Sequence, residues 1–382
     1  ASRRIGSGSS VLFHTPPSAV QMRVTPSLAL LFAFGSSIVV SAVSVEELYF
    51  SGDLSRQDNA TDHANLGFIF KKYKVHFNKS YFSAEEEAHA FGAFNATLKR
   101  LEANQNPSHG LTKFSDLYPE EFKKMYTGRK NVTERSTDHF VGMWKYDCLA
   151  CKRFGEEWNL TERGSLDWTT KGAVTPVKDQ GQCGSCWSFG TTGDIEGVHF
   201  LATGKLVSLS EQELVSCDDS GEDEGCNGGL QEDAFEFVIK QGGLVTEEEY
   251  PYTSGRGRTG RCDKSKEKQR IGASISGWSQ VSDSAKGEDK ILKALVASGP
   301  ITIGINATPM QDYDSGIDNP RHCSGQMLDH AVLIVGYGTE DGVDYWKIKN
   351  SWNTDWGEDG YYRIVRGVNK CGLANDAVHS KS

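Results

Sequence analysis

Nine cysteines, at positions 148, 151, 183, 186, 217, 226, 262, 323 and 371, constrain this 382-residue chain more than any other feature. What they can do depends on the compartment the chain enters. Met22-Arg23 is followed by a mostly apolar run from Leu28 to Val43, with the small residues Ala42 and Ser44 at its end. A basic start, a short apolar region and small residues describe a secretory signal peptide over 22–44. Gly35-Ser36-Ser37 interrupts the run and makes it a poor membrane span. Residues 1–21 read as upstream sequence outside the expressed protein. In an oxidising compartment most of the cysteines should pair, and an odd number leaves at least one free or paired between chains. A free thiol in a secreted protein is a candidate reactive group. Six N-x-S/T sequons, at Asn59, Asn78, Asn95, Asn131, Asn159 and Asn306, fit the same compartment, and some should carry glycans.

The length allows two or three domains of about 100–200 residues. A net charge of −10 gives nucleic acid no general electrostatic reason to bind. The charge is uneven. From Ser165 onward there are 21 basic and 33 acidic residues, a net of −12, whereas the front part carries 20 and 18, a net of +2. The acidic run Asp218 to Glu224 reads as a solvated loop.

Which thiol is reactive is answered by Gln180-Gly-Gln-Cys183-Gly-Ser-Cys186-Trp187. After Cys186, Ile195, Val198 and Leu201 fall three apart on one helical face. Cys186 therefore stands at or near a helix N-terminus, where the dipole favours the nucleophilic thiolate. Taken alone, the usual fate of a secreted cysteine, a disulfide or a core position, competes with that reading. A nucleophile also needs a base, and the base needs a group to fix its ring. His330 heads the apolar run Ala331–Gly336, and Asn350 follows a second strand, Tyr345–Ile348. Together they supply those roles.

These three segments resemble the papain-like cysteine peptidases, in which a C-G-[SA]-C-[WY] signature precedes the His and Asn by about 130–150 residues. The resemblance covers about Ser165 to Asp376. It implies Cys186 as nucleophile, His330 as base and later acid, Asn350 as the group orienting the imidazole, and Gln180 as an oxyanion donor. Trp352 would shield the Asn–His bond and Trp356 line the leaving-group side. Asn353 stands where the family usually has Gly. The implied disulfides are Cys183–Cys226, Cys217–Cys262 and Cys323–Cys371, which leave Cys186 free. Gly228 and Gly229, with Asp329, would hold extended substrate. Leu230, Gly304, Leu328 and Asp376 would surround the side chain two positions before the cut. Apolar walls over an acid predict acceptance of both Leu or Phe and Arg.

The implied fold is α+β and two-lobed, with a helical lobe, a β-barrel-like lobe and the active-site cleft between them. Ser210 and Glu213 form a capping box, and Leu230–Lys240 reads as an amphipathic helix. Strand-like runs come later, at Ile301–Ile305, Ala331–Gly336, Tyr345–Ile348 and Tyr361–Val365. Residues 65–127 resemble the helical inhibitory propeptide of the cathepsin L-like branch. Ser83 to Glu86 caps a helix carrying Phe91, Phe94, Leu98 and Leu101, and Pro119 opens another helix. Ala90, Thr97, Gln105 and Thr112 depart from that pattern. Residues 128–163 form a junction and 164–382 the peptidase domain, with the mature start near Gly164. Cys148 and Cys151 are expected to bridge within the junction and to be lost on maturation.

The resulting expectation is a zymogen of the secretory pathway, destined for a lysosome- or vacuole-like acidic compartment or the extracellular space. It would become a cysteine endopeptidase without metal or cofactor. Its partners would be peptide or protein substrates, its own propeptide and cystatin-like inhibitors, with no nucleic acid and no membrane span after signal removal. Acid would activate it by protonating carboxylates such as Asp116 that dock the propeptide. The alternative from another class is a non-catalytic binding homologue, which an intact Cys–His–Asn–Gln set disfavours.

Overall fold

A computed structural model describes residues 63–132, 138–145, 147–155, 164–266 and 271–382. The signal-peptide segment and the sequons at Asn59 and Asn159 lie outside them. Among the described residues no helix is long and apolar enough to cross a membrane.

The front part folds around aromatic residues. Helix α1 (His63–His76) lays Ile69, Phe70 and Tyr73 against Ala90 and Phe94 of α2 (Ala84–Asn104). The Phe70 and Tyr73 rings lie 5.2 and 4.9 Å from that of Phe94. Ser83 caps α2 by accepting the Glu86 amide at 3.2 Å. Small side chains suit the departures in this helix, since Ala90 and Thr97 are buried. Helix α3 (Pro119–Tyr126) starts on its proline, as expected. Asp116 accepts Tyr73 Oη at 3.0 Å, Tyr81 Oη at 2.8 Å and Lys79 Nζ at 2.9 Å. These donors all belong to the propeptide. The carboxylate thus holds that unit's own fold, in place of the docking contact expected from sequence.

After α3 come a strand β1 (Phe140–Met143) and a short helix α4 (Leu149–Phe154). The helical lobe follows β2 (Leu166–Asp167) and contains α5 (Cys186–Thr203), α6 (Glu211–Cys217) and α7 (Gln231–Gln241). Ile195, Val198 and Leu201 are all buried, but so is most of α5, which makes it a central helix with no solvent face. Helix α7 is likewise buried along Gln231–Val238, polar residues included, so it is not the surface amphipath its pattern suggested. Ser210 caps α6 through the Glu213 amide at 3.0 Å. Glu213 also reaches outward, accepting the Val245 amide of β3 (Leu244–Val245) at 2.8 Å.

The β lobe is one mixed sheet. Its members are β5 (Gly277–Ser282), β6 (Ile301–Ile305), β7 (Ile317–Asp318), β8 (His330–Glu340), β9 (Val343–Lys349), β10 (Tyr361–Val365) and β11 (Ala377–Lys381). They run in the order β1-β5-β11-β6-β8-β9-β10-β7, with β2 on β8. Strand β4 (Ile271–Ala273) pairs only with β3. Helix α8 (Glu288–Ser298) covers one side, where Leu295 accepts the Trp168 indole N–H at 2.9 Å. In the β6–β8 register Ile305 faces His330, and in β8–β9 Leu333 faces Lys349. That register sets the start of β8 beside the end of β9, and so His330 beside Asn350.

One of the six sequons and part of the acidic run are buried. Asn306 is buried, donates to the Ser324 carbonyl at 3.0 Å and accepts the Thr308 amide, so this sequon is closed in the folded protein. The acidic run is a loop that is only partly solvated: Asp219 and Glu224 are exposed, but two of its carboxylates are not. Asp218 and Asp223 are 4% and 5% exposed, and Asp223 Oδ1 accepts the Leu230 amide at 2.6 Å. The loop folds inward because its carboxylates cap its own amides, Asp218 taking the Ser220 N–H and hydroxyl.

Burial raises Asp218 to about 6, against the hydrogen bond from Asp223. Burial and the facing Asp218 push Asp223 well above the carboxylate range. The folded state therefore holds a proton that the unfolded chain releases near pH 4, and stability falls as pH rises through about 6. Asp223→Asn keeps a donor for Asp218 and an acceptor for Leu230 without the charge. It is expected to stabilise the protein near pH 7 by on the order of 1–3 kcal/mol and to flatten the decline in Tm between about pH 5 and 7. Thermal melts across that range check this, and an unchanged slope would be the contrary result.

Candidate active site

Cys186 is the first residue of α5 and the one free cysteine among the described residues. Cys183–Cys226, Cys217–Cys262, Cys323–Cys371 and Cys148–Cys151 are disulfides. The Ala331 amide donates to Cys186 Sγ at 3.4 Å, which sets the start of β8 directly against the start of α5. His330 Nε2 and Asn350 Oδ1 are 2.8 Å apart, and His330 Nδ1 is buried with no hydrogen-bond partner. Trp352 lies over the imidazole, ring centroids 4.7 Å apart and planes within 24°. Trp356 packs edge-on to Trp352 and is fully buried, its indole donating to Met310 O. Asn353 takes the left-handed φ of 63° that a glycine would adopt freely, and Asn tolerates it. Its amide donates to Lys178 O at 3.1 Å, so the turn survives the departure from Gly.

Burial dominates the electrostatics. It pushes the Cys186 thiol up to about 12, against the Ala331 amide. It drives His330 down to about 4, against the bond to Asn350 and the nearby Asp329 charge. In this covered state the pair is thiol and neutral imidazole.

What covers it is the segment from the end of α3, residues 126–130, where the sequence reading places the end of a propeptide and the start of the junction. Gln180 Nε2 donates to Cys183 O at 2.8 Å and to Tyr126 O at 3.2 Å, and the Trp352 indole donates to the same Tyr126 carbonyl at 3.0 Å. The Ser351 hydroxyl holds the other end of the Gln180 amide. Gly128 crosses so close to the Cys183–Cys186 loop that a Cβ there would meet Gly184 O at 2.1 Å. Its carbonyl accepts the Gly229 amide at 2.9 Å, and the Lys130 amide donates back to Gly229 O at 3.0 Å. Asp329 O accepts the Gly128 and Arg129 amides, both at 3.0 Å. Gly228 and Gly229 thus hold an extended strand, here paired parallel through Arg129 and Gly229.

Arg129 points into the pocket expected from Leu230, Gly304, Leu328 and Asp376. A Cβ on Gly304 would stand 2.7 Å from its Nε, Gln231 Oε1 accepts that Nε at 3.2 Å, and the guanidinium pairs with Asp376. Asp376 also accepts Gln280 Nε2 at 2.9 Å. Leu230 and Leu328 are both buried. The roles of Tyr126, Gly128 and Arg129 were not foreseen from sequence. The clue was available: a basic residue next to a glycine, ahead of a peptidase whose expected pocket ends in an acid.

The docking has one polarity. Arg100 pairs with Asp312 at 2.6 Å, His109 with Asp318 at 3.1 Å, Lys113 with Asp355 at 2.6 Å and Lys123 with Asp329 at 3.3 Å. Arg129 pairs with Asp376, and Lys130 with Glu224 at 3.0 Å. Thr112, in place of the usual Asn, donates to Gln311 O at 2.7 Å. Phe114 and Phe122 stack edge-on against Trp352, ring centroids 5.3 and 5.2 Å away.

Comparisons with known proteins agree with this arrangement. The family model for papain family cysteine protease matches residues 163–381, and that for the cathepsin propeptide inhibitor domain matches 70–122. Cysteine proteinase 15A of Pisum sativum is 45% identical over 337 residues, covering 83% of this chain and 87% of its own. Probable cysteine protease RD19B of Arabidopsis thaliana is 41% identical over 374 residues, 92% and 96% of the two chains. Among solved structures, the digestive procathepsin L2 proteinase of Tenebrio molitor larval midgut superposes with a TM-score of 0.70 at 32% identity, over 83% of this chain and all of that one. The recombinant stem bromelain precursor gives 0.69 at 30%, over 83% and 98%. On fold, sequence and propeptide together, the chain belongs to the papain family of cysteine proteases and carries a cathepsin-type propeptide inhibitor domain.

Proposed function

We propose that Cys186 is the nucleophile of an endopeptidase held latent by residues 63–132. The observation that carries this is the stack of Trp352 on a His330 bonded to Asn350, at the mouth of a helix that begins with the free Cys186. Uncovering the cleft rehydrates both groups and removes the burial that keeps them uncharged. The thiolate then adds to a peptide carbonyl carbon. Oxyanion charge is met by Gln180 Nε2 and the Cys186 amide, each worth about 2.7–4 kcal/mol in such sites. Imidazolium gives its proton to the leaving amine as the C–N bond breaks. Water, deprotonated by His330, then hydrolyses the thioester. Asn350 fixes the ring, and Trp352 keeps water from their bond.

The propeptide occupies this machinery without being cut. The residue in the specificity pocket of a substrate precedes the scissile carbonyl. Here Arg129 follows the Tyr126 carbonyl that sits at Gln180, so the chain runs backwards through the cleft. The same contact supports a pocket with apolar walls and an acid floor, accepting Leu, Phe and Arg. Cystatin-like inhibitors would compete for the uncovered cleft. Four disulfides and an interface that acid weakens suit the secretory pathway and an acidic or extracellular destination. Each propeptide Lys or Arg in the interface faces a carboxylate, and protonating those carboxylates in acid removes the pairing.

Cys186→Ala and His330→Ala are expected to abolish peptide hydrolysis while leaving secretion intact. An epoxide or vinyl-sulfone peptide probe should label the matured wild type at Cys186 and leave the zymogen unlabelled. Appreciable turnover by Cys186→Ser would overturn the mechanism. Purified zymogen should process much faster at about pH 4.5 than at about 7.5. Asp376→Asn leaves the Arg129 guanidinium buried without its counter-ion, a loss of about 3–5 kcal/mol, and should make the zymogen process at higher pH. In the mature enzyme, Asp376→Ala should lower cleavage after Arg at the pocket position relative to Leu by tenfold or more, given a charge-assisted pair of about 1.5–3 kcal/mol. Profiling Arg, Leu and Phe across about pH 4–7 reads this, and an unchanged ratio would remove Asp376 from substrate selection.

A further inference from the structure

The propeptide domain matches a family model over 70–122 and the peptidase over 163–381, so β1 and α4 lie in a stretch that neither covers. We propose that residues 138–155 stay on the peptidase when the propeptide leaves, so that the active enzyme carries β1 and α4 as part of its body. This rests on the zymogen reading above and extends it to what the mature enzyme consists of. Position alone, just before the expected start near Gly164, suggested that they would depart.

The segment is built into the peptidase. Strand β1 pairs parallel with β5, Phe140 opposite Trp278 and Met143 opposite Gln280. The Trp278 amide donates to His139 O at 3.2 Å, and the Trp144 amide to Gln280 O at 2.7 Å. The Phe140 and Trp278 rings are 4.8 Å apart. The His139 amide and Nδ1 reach the two oxygens of Glu236 at 3.0 and 2.5 Å, and the Trp278 indole donates to the same carboxylate at 2.8 Å. Ahead of α4, the Asp147 carbonyl accepts the Ser298 hydroxyl at 2.9 Å. At its end, Arg153 Nε donates to Leu201 O at 3.2 Å and Phe154 lies 6.1 Å from Trp168. Between them, Ala150 and the Cys148 half of the disulfide belong to the same buried core as Trp168, Leu201 and Leu295.

Two contrasts separate this docking from that of residues 63–132. The propeptide must leave because it fills the cleft. The junction lies at the far end of α5 from Cys186 and on β5, so catalysis does not require its departure. The propeptide is also tied to peptidase carboxylates by five Lys or Arg side chains, with His109 against Asp318 besides. The junction is held mainly by a strand ladder, apolar contacts and the Glu236 hydrogen bonds, with one Lys or Arg pair to the peptidase, the exposed Asp138–Lys240. Burial opposes the Glu236 charge, but the bonds from His139 and Trp278 outweigh it and keep its pKa below the ordinary carboxylate value. Removal would also leave β5 as a bare sheet edge, a site open to pairing with other chains. Strand β1 further backs Gln280, whose side chain holds Asp376.

The test uses the full chain, matured in acid and labelled with the epoxide peptide probe. After size exclusion under native conditions, the labelled peak is denatured, digested and mapped. A disulfide-linked peptide spanning residues 146–152 is expected in equal amount to peptidase peptides, whether or not the chain has also been cut between 155 and 164. A labelled, active peak holding less than a tenth of that amount overturns the proposal. Glu236→Gln, outside the catalytic machinery, should retain probe labelling but lose junction peptide severalfold during acid maturation. Full retention in that variant would show that Glu236 does not hold the segment and would count against the clamp argued here. Absence of labelling in wild type would instead refute the protease reading, while the peptide map still reports retention.

Discussion

The contact between the start of α5 and the start of β8 organises the molecule. Cys186 heads one element, His330 the other, and the Ala331 amide reaches the Cys186 sulfur at 3.4 Å. Each lobe has its own core, one around Trp187 and Phe235, the other around the isoleucines of β6, β8 and β9. Neither core alone would bring Cys186 and His330 together. They meet because the helical lobe ends a loop at Cys186 and the β register sets His330 beside Asn350. Trp352 then closes over the ring. The Lys178–Glu196–Glu211 charge cluster ties the loop before Cys186 to α5 and α6, with Lys349 bound through Thr175 next to Asn350. Positions that look like separate motifs in the chain are thus one packed unit.

That coupling also accounts for latency. A strap of four residues, Tyr126 to Arg129, engages Gln180, Gly184, Gly229, Asp329 and Asp376. It blocks access and it also dries the site. Dry surroundings hold Cys186 as thiol, up at about 12, and His330 as neutral imidazole, at about 4. The inhibitor therefore opposes both the approach of a substrate and the charge state that attacks it.

Much of this was legible in the sequence because the chemistry needs particular side chains at fixed places. Cys186, His330, Asn350 and Gln180 are drawn together, and β6 and β10 have the bounds their apolar runs suggested. What was not legible depends on partners distant in the chain. Asp116 looks the same as a docking carboxylate or as a tyrosine-bound internal one, and only the neighbouring Tyr73 and Tyr81 decide. Asp218 and Asp223 read as solvated because a charge run usually is, yet they cap amides of their own loop and sink. Asn306 has an intact sequon and no exposed surface. Helix α7 has an amphipathic pattern, but its polar face is buried by neighbours that no local pattern encodes. Strand β1 is four residues long, and its identity as a strand comes from the β5 edge it meets.

The uneven charge noticed at the outset has a structural meaning in the interface. A peptidase of net −12 preceded by a part of net +2 could have been a matter of solubility alone. Instead the excess carboxylates include Asp312, Asp318, Asp329, Asp355 and Asp376, each facing a propeptide base. The arrangement spreads the docking over many points, since a pair on a partly exposed surface is worth no more than about 1 kcal/mol. The Arg129–Asp376 pair is buried, as is the contact of His109 with Asp318. Arg129–Asp376 sits in the pocket proposed for a substrate side chain, so this ion pair must open before substrate can fill that pocket. The buried Asp218–Asp223 pair pulls the same way, being most stable where it keeps its proton. Acid thus loosens the propeptide while favouring the loop that carries Gly228 and Gly229.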